Sequence, residues 1–556
     1  MKKRDNNWLI GIGILALLGW WHLGDVRAGA LECGDTWLVG NYWMLLGAAL
    51  GTGVLCGWLF WGGRLPGRKR EGGGTWRPER IYPVAGLLLG LLYLLVLPPL
   101  SAPDEISHYI SAYQLSSRML GCPSNSRDGH VLVRARDWFL EDVNGDYIRG
   151  QEDGYLVKEG TKDGTGEAAV LGQPLVEKTY RVIHDTFRLG REDEGQQSYA
   201  VSSYPPVVTT PAAYVPQAAG ICLARLLGLS GLWLVYLGRL GNLLFFVAVT
   251  WLAMRRLPFG REVLFGVALL PMTLHLSASF SYDVWIMAGI FWFTACCLNL
   301  AFAAEWVRAT DVAVLGLVMA LVGPCKMVYA VFMGLCLLIP VRKFGGWGRW
   351  GLSAAAVFGA WAAVMVLVNG QTVTMYVAPE TENYVGWAQE TGYTLGMLLH
   401  QPGKCLKLFF NTAAWQAQQY HLTMIGAYLG NLDPVLDVPY ILVVALTGCL
   451  LCLAFRKPGE QLVLTGGKRL WIWMLCFGCV TATMFSMLLA WTPVGSQVIS
   501  GVQGRYFLPF LPVFLMSLKN DRIVLTGDGN RGILYAMCCV NVYVVLRIYS
   551  VVSMRL

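Results

Sequence analysis

Long apolar runs such as Tyr82 to Leu100, Leu232 to Met254 and Leu470 to Ala490, set apart by short basic stretches, constrain this chain more than any other feature. A run of about 20 apolar residues satisfies its own backbone only as a helix and is long enough to cross a bilayer core. Of 556 residues 55% are apolar and only 14% charged, where soluble domains run near a quarter charged. The net charge of +8 sits largely in connections between runs, so it marks the cytoplasmic side of a polytopic protein and argues against a nucleic-acid partner.

The start, Met1-Lys2-Lys3-Arg4 followed by Trp8 to Trp21, reads as an uncleaved first span with a cytoplasmic N-terminus, because no small-residue cleavage site follows; a signal peptide is the alternative. Trp8 to Gly24 goes out and Trp37 to Phe60 returns, so residues 1–63 form an additional N-terminal hairpin. Residues 64–81 are a basic, glycine-rich cytoplasmic loop, and Tyr82 to Leu100 then exits again. A membrane core over residues 82–520 carries two large outer connections, 101–211 and 370–437, and a last helix occupies 521–556. The expected fold is an all-α polytopic membrane protein of about 11–13 transmembrane segments with a cytoplasmic N-terminus.

In the first outer connection, Ile106 to Leu120 has apolar residues at helical spacing and reads as an interfacial helix. From Val131 the pattern alternates, and Asn144-Gly145 is a hairpin-turn signal, which predicts a small α/β insertion. Asp142, Asn144 and Asp146 imitate the start of a calcium loop, but Tyr147 and Asp153 stand where that loop needs glycine and glutamate. Cys33 and Cys122 are a possible outer-face disulfide; the C-x-x-C pairs Cys449/Cys452 and Cys476/Cys479 lie in apolar runs and read as packing. Between Val312 and Pro340, Gly323-Pro324-Cys325-Lys326 breaks an apolar stretch with basic residues on both flanks, which predicts a hairpin whose tip, with Lys326, lies inside the membrane.

Pro103-Asp104-Glu105-Ile106-Ser107-His108 follows directly on the third apolar run and places three proton-handling side chains at the membrane edge. Other outer connections bring Asp283, Gln503 and Arg505; Arg239 lies in the outer half of a span. Carboxylates gathered with isolated cations at an interface suit a lipid-phosphate substrate, whose tail stays in hydrocarbon while Arg or Lys neutralises its phosphate and a carboxylate acts as base. No Walker motif and no G-x-G-x-x-G after a strand is present. The plainer explanations stand beside this one. Asp104 and Glu105 can cap the next helix, Asp283 can be a turn residue, and the arginines can snorkel or bind carbonyls. The aromatics of the second connection can form an interfacial belt rather than a sugar platform.

An ordered series then becomes legible: Pro103-Asp104-Glu105-x-x-His108; Tyr204-Pro205-Pro206; Tyr214-Val215-Pro216-Gln217-Ala218; Gly228-Leu229-Ser230; Gly238-Arg239-Leu240-x-Asn242; Pro271-Met272; Ser281-Tyr282-Asp283; Lys326-x-x-Tyr329; and Gly501-x-Gln503-Gly504-Arg505-Tyr506-x-x-Pro509. Over residues 82–520 the chain resembles the bacterial polytopic membrane proteins of domain of unknown function 2142 (DUF2142), which are similar to GT-C membrane glycosyltransferases. The resemblance implies a GT-C-like fold and an inverting transfer of sugar from a polyprenyl-phosphate donor to a cell-envelope glycan on the extracytoplasmic face. It implies Asp104, with Glu105 beside it, as the acidic catalytic position; on the reading of the residues Asp104 is the general base, Glu105 and His108 assist, and Tyr204, Arg239, Asp283, Lys326, Gln503, Arg505 and Tyr506 are the candidate substrate-binding residues. A divalent Mg or Mn, where one is used, would fall to Asp104, Glu105 and Asp283. A flippase for a lipid-linked glycan and a non-catalytic envelope-assembly protein are the other two functions this pattern allows.

Overall fold

The structure is a computed structural model that describes residues 8–62, 77–141, 147–161, 175–188, 198–229, 231–377, 383–461 and 464–555. Most of the basic loop, the turn signal Asn144-Gly145, the calcium-loop imitation at 142–146 and Ser230 lie outside the described residues.

The N-terminal helices are α1 (Trp8–Cys33), α2 (Trp37–Gly57) and α3 (Pro78–Val96). Pro78 stands at the start of α3, where a missing N–H costs nothing, and Pro98-Pro99 follow its end. α4 (Glu105–Met119) leads to a small sheet of β1 (Leu132–Arg134), β2 (Tyr147–Glu152), β3 (Tyr155–Thr161) and β4 (Tyr199–Val201), with α5 (Glu177–Arg188) between β3 and β4. The strand order is β1-β4-β3-β2. The β2–β3 hairpin turns at Asp153-Gly154, both left-handed (φ 51° and 81°), a type I′ signature.

α6 (Val215–Leu226) and α7 (Leu232–Arg256) cross closely; a Cβ on Gly241 would lie 2.2 Å from the Pro216 carbonyl oxygen. The chain continues through α8 (Arg261–Ala268), α9 (Pro271–Ser277) and α10 (Asp283–Phe302). α11 (Ala309–Val322), a 3-10 stretch from Met327 to Leu338 and α12 (Trp347–Val377) follow. Next come α13 (Leu395–His400), α14 (Pro402–Ile425), α15 (Tyr440–Ala454), α16 (Gly466–Trp491), α17 (Leu511–Ser517) and α18 (Asn530–Met554).

Among the described residues eight helices are long and apolar enough to cross a membrane, and three apolar ones (Ala309–Val322, Met327–Leu338, Tyr440–Ala454) are shorter. The sequence expectation was about 11–13 spans; the long helices are fewer because proline divides some runs. Pro271 splits the expected span 263–280 into α8 and α9, and only Leu511–Ser517 of the run 507–518 is α-helical. α10 is the central helix, with 78% of its apolar window buried, and α12 the most peripheral, with 11%.

The stretch from Val312 to Pro340 forms the expected hairpin of two short helices. Val307 N–H donates to the Lys343 carbonyl (2.9 Å), and Lys343 Nζ caps α10 through the carbonyls of Leu300, Ala301 and Ala304, so both feet stand at the C-terminal end of α10. Its tip carries Lys326 to Asp283, at the other end of the same helix. The arms, roughly 21 Å of α-helix and roughly 24 Å of 3-10 helix, therefore run nearly the length of α10, about 30 Å. Lys326 sits at the level of the α10 N-terminus.

Candidate functional site

The Pro98-Pro99 stop turns the chain sharply between α3 and α4, through two non-glycine residues in left-handed conformation, Leu100 (φ 62°) and Asp104 (φ 56°). Each such residue costs about 1–3 kcal/mol unless surrounding contacts impose it. Here the contacts are explicit. Glu105, 1% exposed, accepts Arg239 Nε (2.8 Å) and the Phe280 N–H (2.9 Å) on Oε1. Its Oε2 accepts Arg239 Nη2 (2.6 Å) and the Ala102 N–H (3.0 Å). Arg239 also donates to the carbonyls of Leu97 (2.9 Å) and Pro98 (2.8 Å). One buried ion pair thus ties the end of α3, the start of α4, α7 and the turn before α10. Burial alone would raise the Glu105 pKa, but the Arg239 guanidinium and the two amides hold it below the usual value.

With Glu105 held inward, its neighbour faces out. The Asp104 side chain is 73% exposed, and although Asp104 occupies the N-cap position of α4 its carboxylate makes no capping bond. Its Oδ2 lies 3.5 Å from Arg505 Nη2. Arg505 Nε lies 3.4 Å from Asp283 Oδ2, and Lys326 Nζ donates to Asp283 Oδ1 at 2.6 Å. The result is an alternating row, Asp104–Arg505–Asp283–Lys326, with one end in solvent. Lys326 also stands over the rings of Tyr506 (3.9 Å) and Tyr282 (5.3 Å), as cations favour.

Arg505 is buried, yet its Nε and Nη1 make no hydrogen bond among the described residues, and neither does Gln503 Oε1 close by in sequence. Unused donors on a buried guanidinium are costly and mark capacity for an anion. Burial works against the Arg505 charge, but Tyr506, Asp283 and Asp104 more than offset it and hold the group firmly protonated. His108 takes the opposite course. Buried, with Nδ1 2.7 Å from the Tyr214 hydroxyl and its ring against Tyr282, it is pushed down to about 4 by desolvation, against the pull of Asp283 and Asp104. It stays neutral at ordinary pH and positions Tyr214.

Arg505 is set by its backbone. Gly504 N–H donates to Thr423 Oγ1 (2.9 Å), and a Cβ there would lie 1.8 Å from the Tyr420 carbonyl oxygen. Tyr329, on the hairpin arm beyond Lys326, donates to the Tyr506 carbonyl (2.9 Å). A strap over residues 204–210 crosses from α4 to the hairpin tip: Val207 N–H donates to Ser111 Oγ, and Thr210 Oγ1 to the Leu321 carbonyl.

Of the residues singled out from sequence, Asp104, His108, Asp283, Lys326, Arg505 and Tyr506 come together, with Gln503 at the start of the same 3-10 turn. Two assignments are corrected. Arg239 is 1% exposed and committed to Glu105 and two carbonyls, so it is not a phosphate ligand; Glu105, with both oxygens occupied, is neither base nor metal ligand. Tyr204 is half-buried on the strap and packs on the cluster that holds Tyr109 and Tyr214. For a divalent metal the donors do not fit: Glu105 is locked, Asp283 bridges two cations, and no group of three His, Cys, Asp or Glu suited to a metal exists among the described residues. Cys33 and Cys122 are both free thiols.

Sequence reasoning missed the aromatic wall of Tyr214 and Tyr282, although both stand inside the quoted motifs. It also missed His275 on α9, buried with neither ring nitrogen hydrogen-bonded among the described residues; nothing in its apolar surroundings signals it.

The family described as Predicted membrane protein (DUF2142) matches residues 87–514. No curated protein and no solved structure matches the chain.

Proposed function

Since the chain belongs to the DUF2142 family of predicted membrane proteins, we propose that this polytopic membrane protein is a glycosyltransferase that moves a sugar from a polyprenyl-phosphate donor to a cell-envelope glycan. One observation carries this reading: an exposed carboxylate, Asp104, stands beside a buried guanidinium, Arg505, that has hydrogen-bond donors to spare. A base open to solvent next to an anion-binding group is the pairing that a displacement at a sugar phosphate needs.

In the proposed reaction Arg505 receives the donor phosphate through Nη1, while its Nε faces Asp283, and Lys326 adds charge from the far side of Asp283. Asp283 holds the two cations near each other and limits their repulsion. Asp104 takes the proton of the acceptor hydroxyl, the acceptor oxygen bonds to the sugar anomeric carbon, and the bond from that carbon to the phosphate oxygen breaks. Polyprenyl phosphate leaves with the bonding electrons, and a single displacement inverts the anomeric centre. Glu105 and Arg239 act as the frame that turns Asp104 outward.

The distribution of charge supports an extracytoplasmic site. The end of the bundle away from Asp104 carries Arg255, Arg256, Arg308, Arg342, Lys343 and Lys468 at its helix ends, the pattern of a cytoplasmic face.

The test uses purified protein in nanodiscs with a panel of polyprenyl-phosphate sugars, following free polyprenyl phosphate by mass spectrometry. Release that requires a glycan acceptor and disappears in Asp104→Asn is the expected result. No release from any donor, with Asp104→Asn functional in cells, overturns it and leaves the flippase or assembly roles.

A further inference from the structure

A second concentration of cations lies at the other end of the bundle and takes no part in the site above. Arg77, Glu79 and Arg80 at the start of α3, Trp251 and Arg255 at the end of α7, and Arg261 at the start of α8 line a cavity of about 640 Å³. Four guanidinium groups share it with one carboxylate: Glu79 accepts Arg261 Nη1 at 3.0 Å on Oε1, while its Oε2 has no hydrogen-bond partner among the described residues. Arg255 lies on the face of Trp251 at 4.9 Å. Arg77, Arg80 and Arg255 form no ion pair among the described residues. Like charges gathered around one cavity repel, and an anion between them removes the repulsion. Guanidinium forks match the oxygens of a phosphate, and the amides at the N-terminus of α3 add to the same potential.

The surroundings distinguish a lipid from a free anion. The cavity opens at the ends of α3 and α7, two helices long and apolar enough to cross a membrane. About one turn deeper from the arginines each helix leaves an apolar side chain uncovered, Val84 (38% exposed) on α3 and Leu252 (40%) on α7. We propose that this cavity binds the phosphate headgroup of an anionic membrane lipid, with its acyl chains lying against α3 and α7. The lipid ties the start of α3 to α7 and α8 at the end of the bundle remote from Asp104.

Native mass spectrometry of the full chain in detergent tests this, titrating phosphatidylglycerol against phosphatidylcholine. The double variant Arg80→Ala/Arg255→Ala should bind phosphatidylglycerol about 10- to 30-fold more weakly, the worth of two arginines against an anionic headgroup, with phosphatidylcholine binding unchanged. Arg80→Lys/Arg255→Lys, which keeps the charge, should retain most of the affinity and separates loss of charge from loss of fold. Equal weakening of both lipids in the alanine variant, or none, overturns the proposal. Displacement of phosphatidylglycerol by inorganic phosphate or glycerophosphoglycerol at comparable concentration also overturns it, because the ligand would then be a soluble phosphate.

Discussion

Two adjacent acids, Asp104 and Glu105, have opposite fates, and the left-handed turn between Pro103 and α4 separates them. Asp104→Gly removes the Cβ from a positive-φ position, so the expected result is unchanged or slightly raised thermal stability, by up to about 1 kcal/mol, together with loss of donor turnover. A fall in melting temperature would show that the carboxylate has a structural task instead. Breaking the inner pair has the contrary signature. Arg239→Ala leaves Glu105 buried without its cation and should cost roughly 3–5 kcal/mol, read as a large drop in the unfolding midpoint in detergent. At this scale the motif Pro-Asp-Glu-x-x-His pointed to the right place, but which acid faces solvent was not legible, because both precede the same helix and either can cap it. The choice depends on Arg239, which is 134 residues from Glu105 in sequence.

His108 gives the pH dependence a stated direction. Its folded pKa, about 4, lies below its ordinary value of 6.5, so between those values the unfolded chain binds a proton that the folded one refuses. The His108 contribution is therefore fully retained above pH 6.5, declines as the pH falls toward 4 and levels off below that. His108→Gln should flatten the melting-temperature profile between pH 6.5 and 4; a profile parallel to wild type would remove His108 as the cause.

Among the elements, the segment carrying Gln503 to Tyr506 is the most sharply positioned. Gly504→Ala sets a methyl against the Tyr420 carbonyl, displaces the turn from α14 and moves Arg505. A shift of about 1 Å is enough to lower turnover about 100-fold, so the expected outcome is a large loss of kcat with the chain still folded by size-exclusion chromatography. Unimpaired turnover would show that Arg505 needs no precise placement. The hairpin at 309–340 was legible as a hairpin from its basic flanks and its Gly-Pro break. Its depth was not, because apolar length converts to distance only once the helix type is known, and one arm is 3-10, which rises further per residue.

Across the whole molecule, the site and the arginine cavity lie at opposite ends of one helical bundle. Single cysteines placed at Gln389, between α12 and α13, and at Arg522, between α17 and α18, should differ in intact cells: an impermeant maleimide labels the first and not the second, in a background where the native thiols are replaced. The reverse pattern would invert the proposed orientation. The helices outside residues 87–514 also pack on one another. α1 lies along α18, with Tyr535 donating to the Trp8 carbonyl and Ser550 to Asp25, and Tyr549 of α18 reaches the Leu38 carbonyl of α2. The N-terminal hairpin is thus completed by the last helix of the chain rather than standing alone.

The apolar periodicity alone determined that this chain crosses a membrane repeatedly as helices, since no other backbone arrangement of such runs satisfies its amides in hydrocarbon. The order of its short motifs determined the family, and their polar residues named most of the site. Tertiary structure alone decided the pairing. Asp104, Asp283, Lys326 and Arg505 come from four separate segments, and Arg239 from a fifth. Whether a charged group is free to act or is spent on holding the frame depends on which partner the packing brings within about 3 Å, a distance that spacing along the chain does not encode.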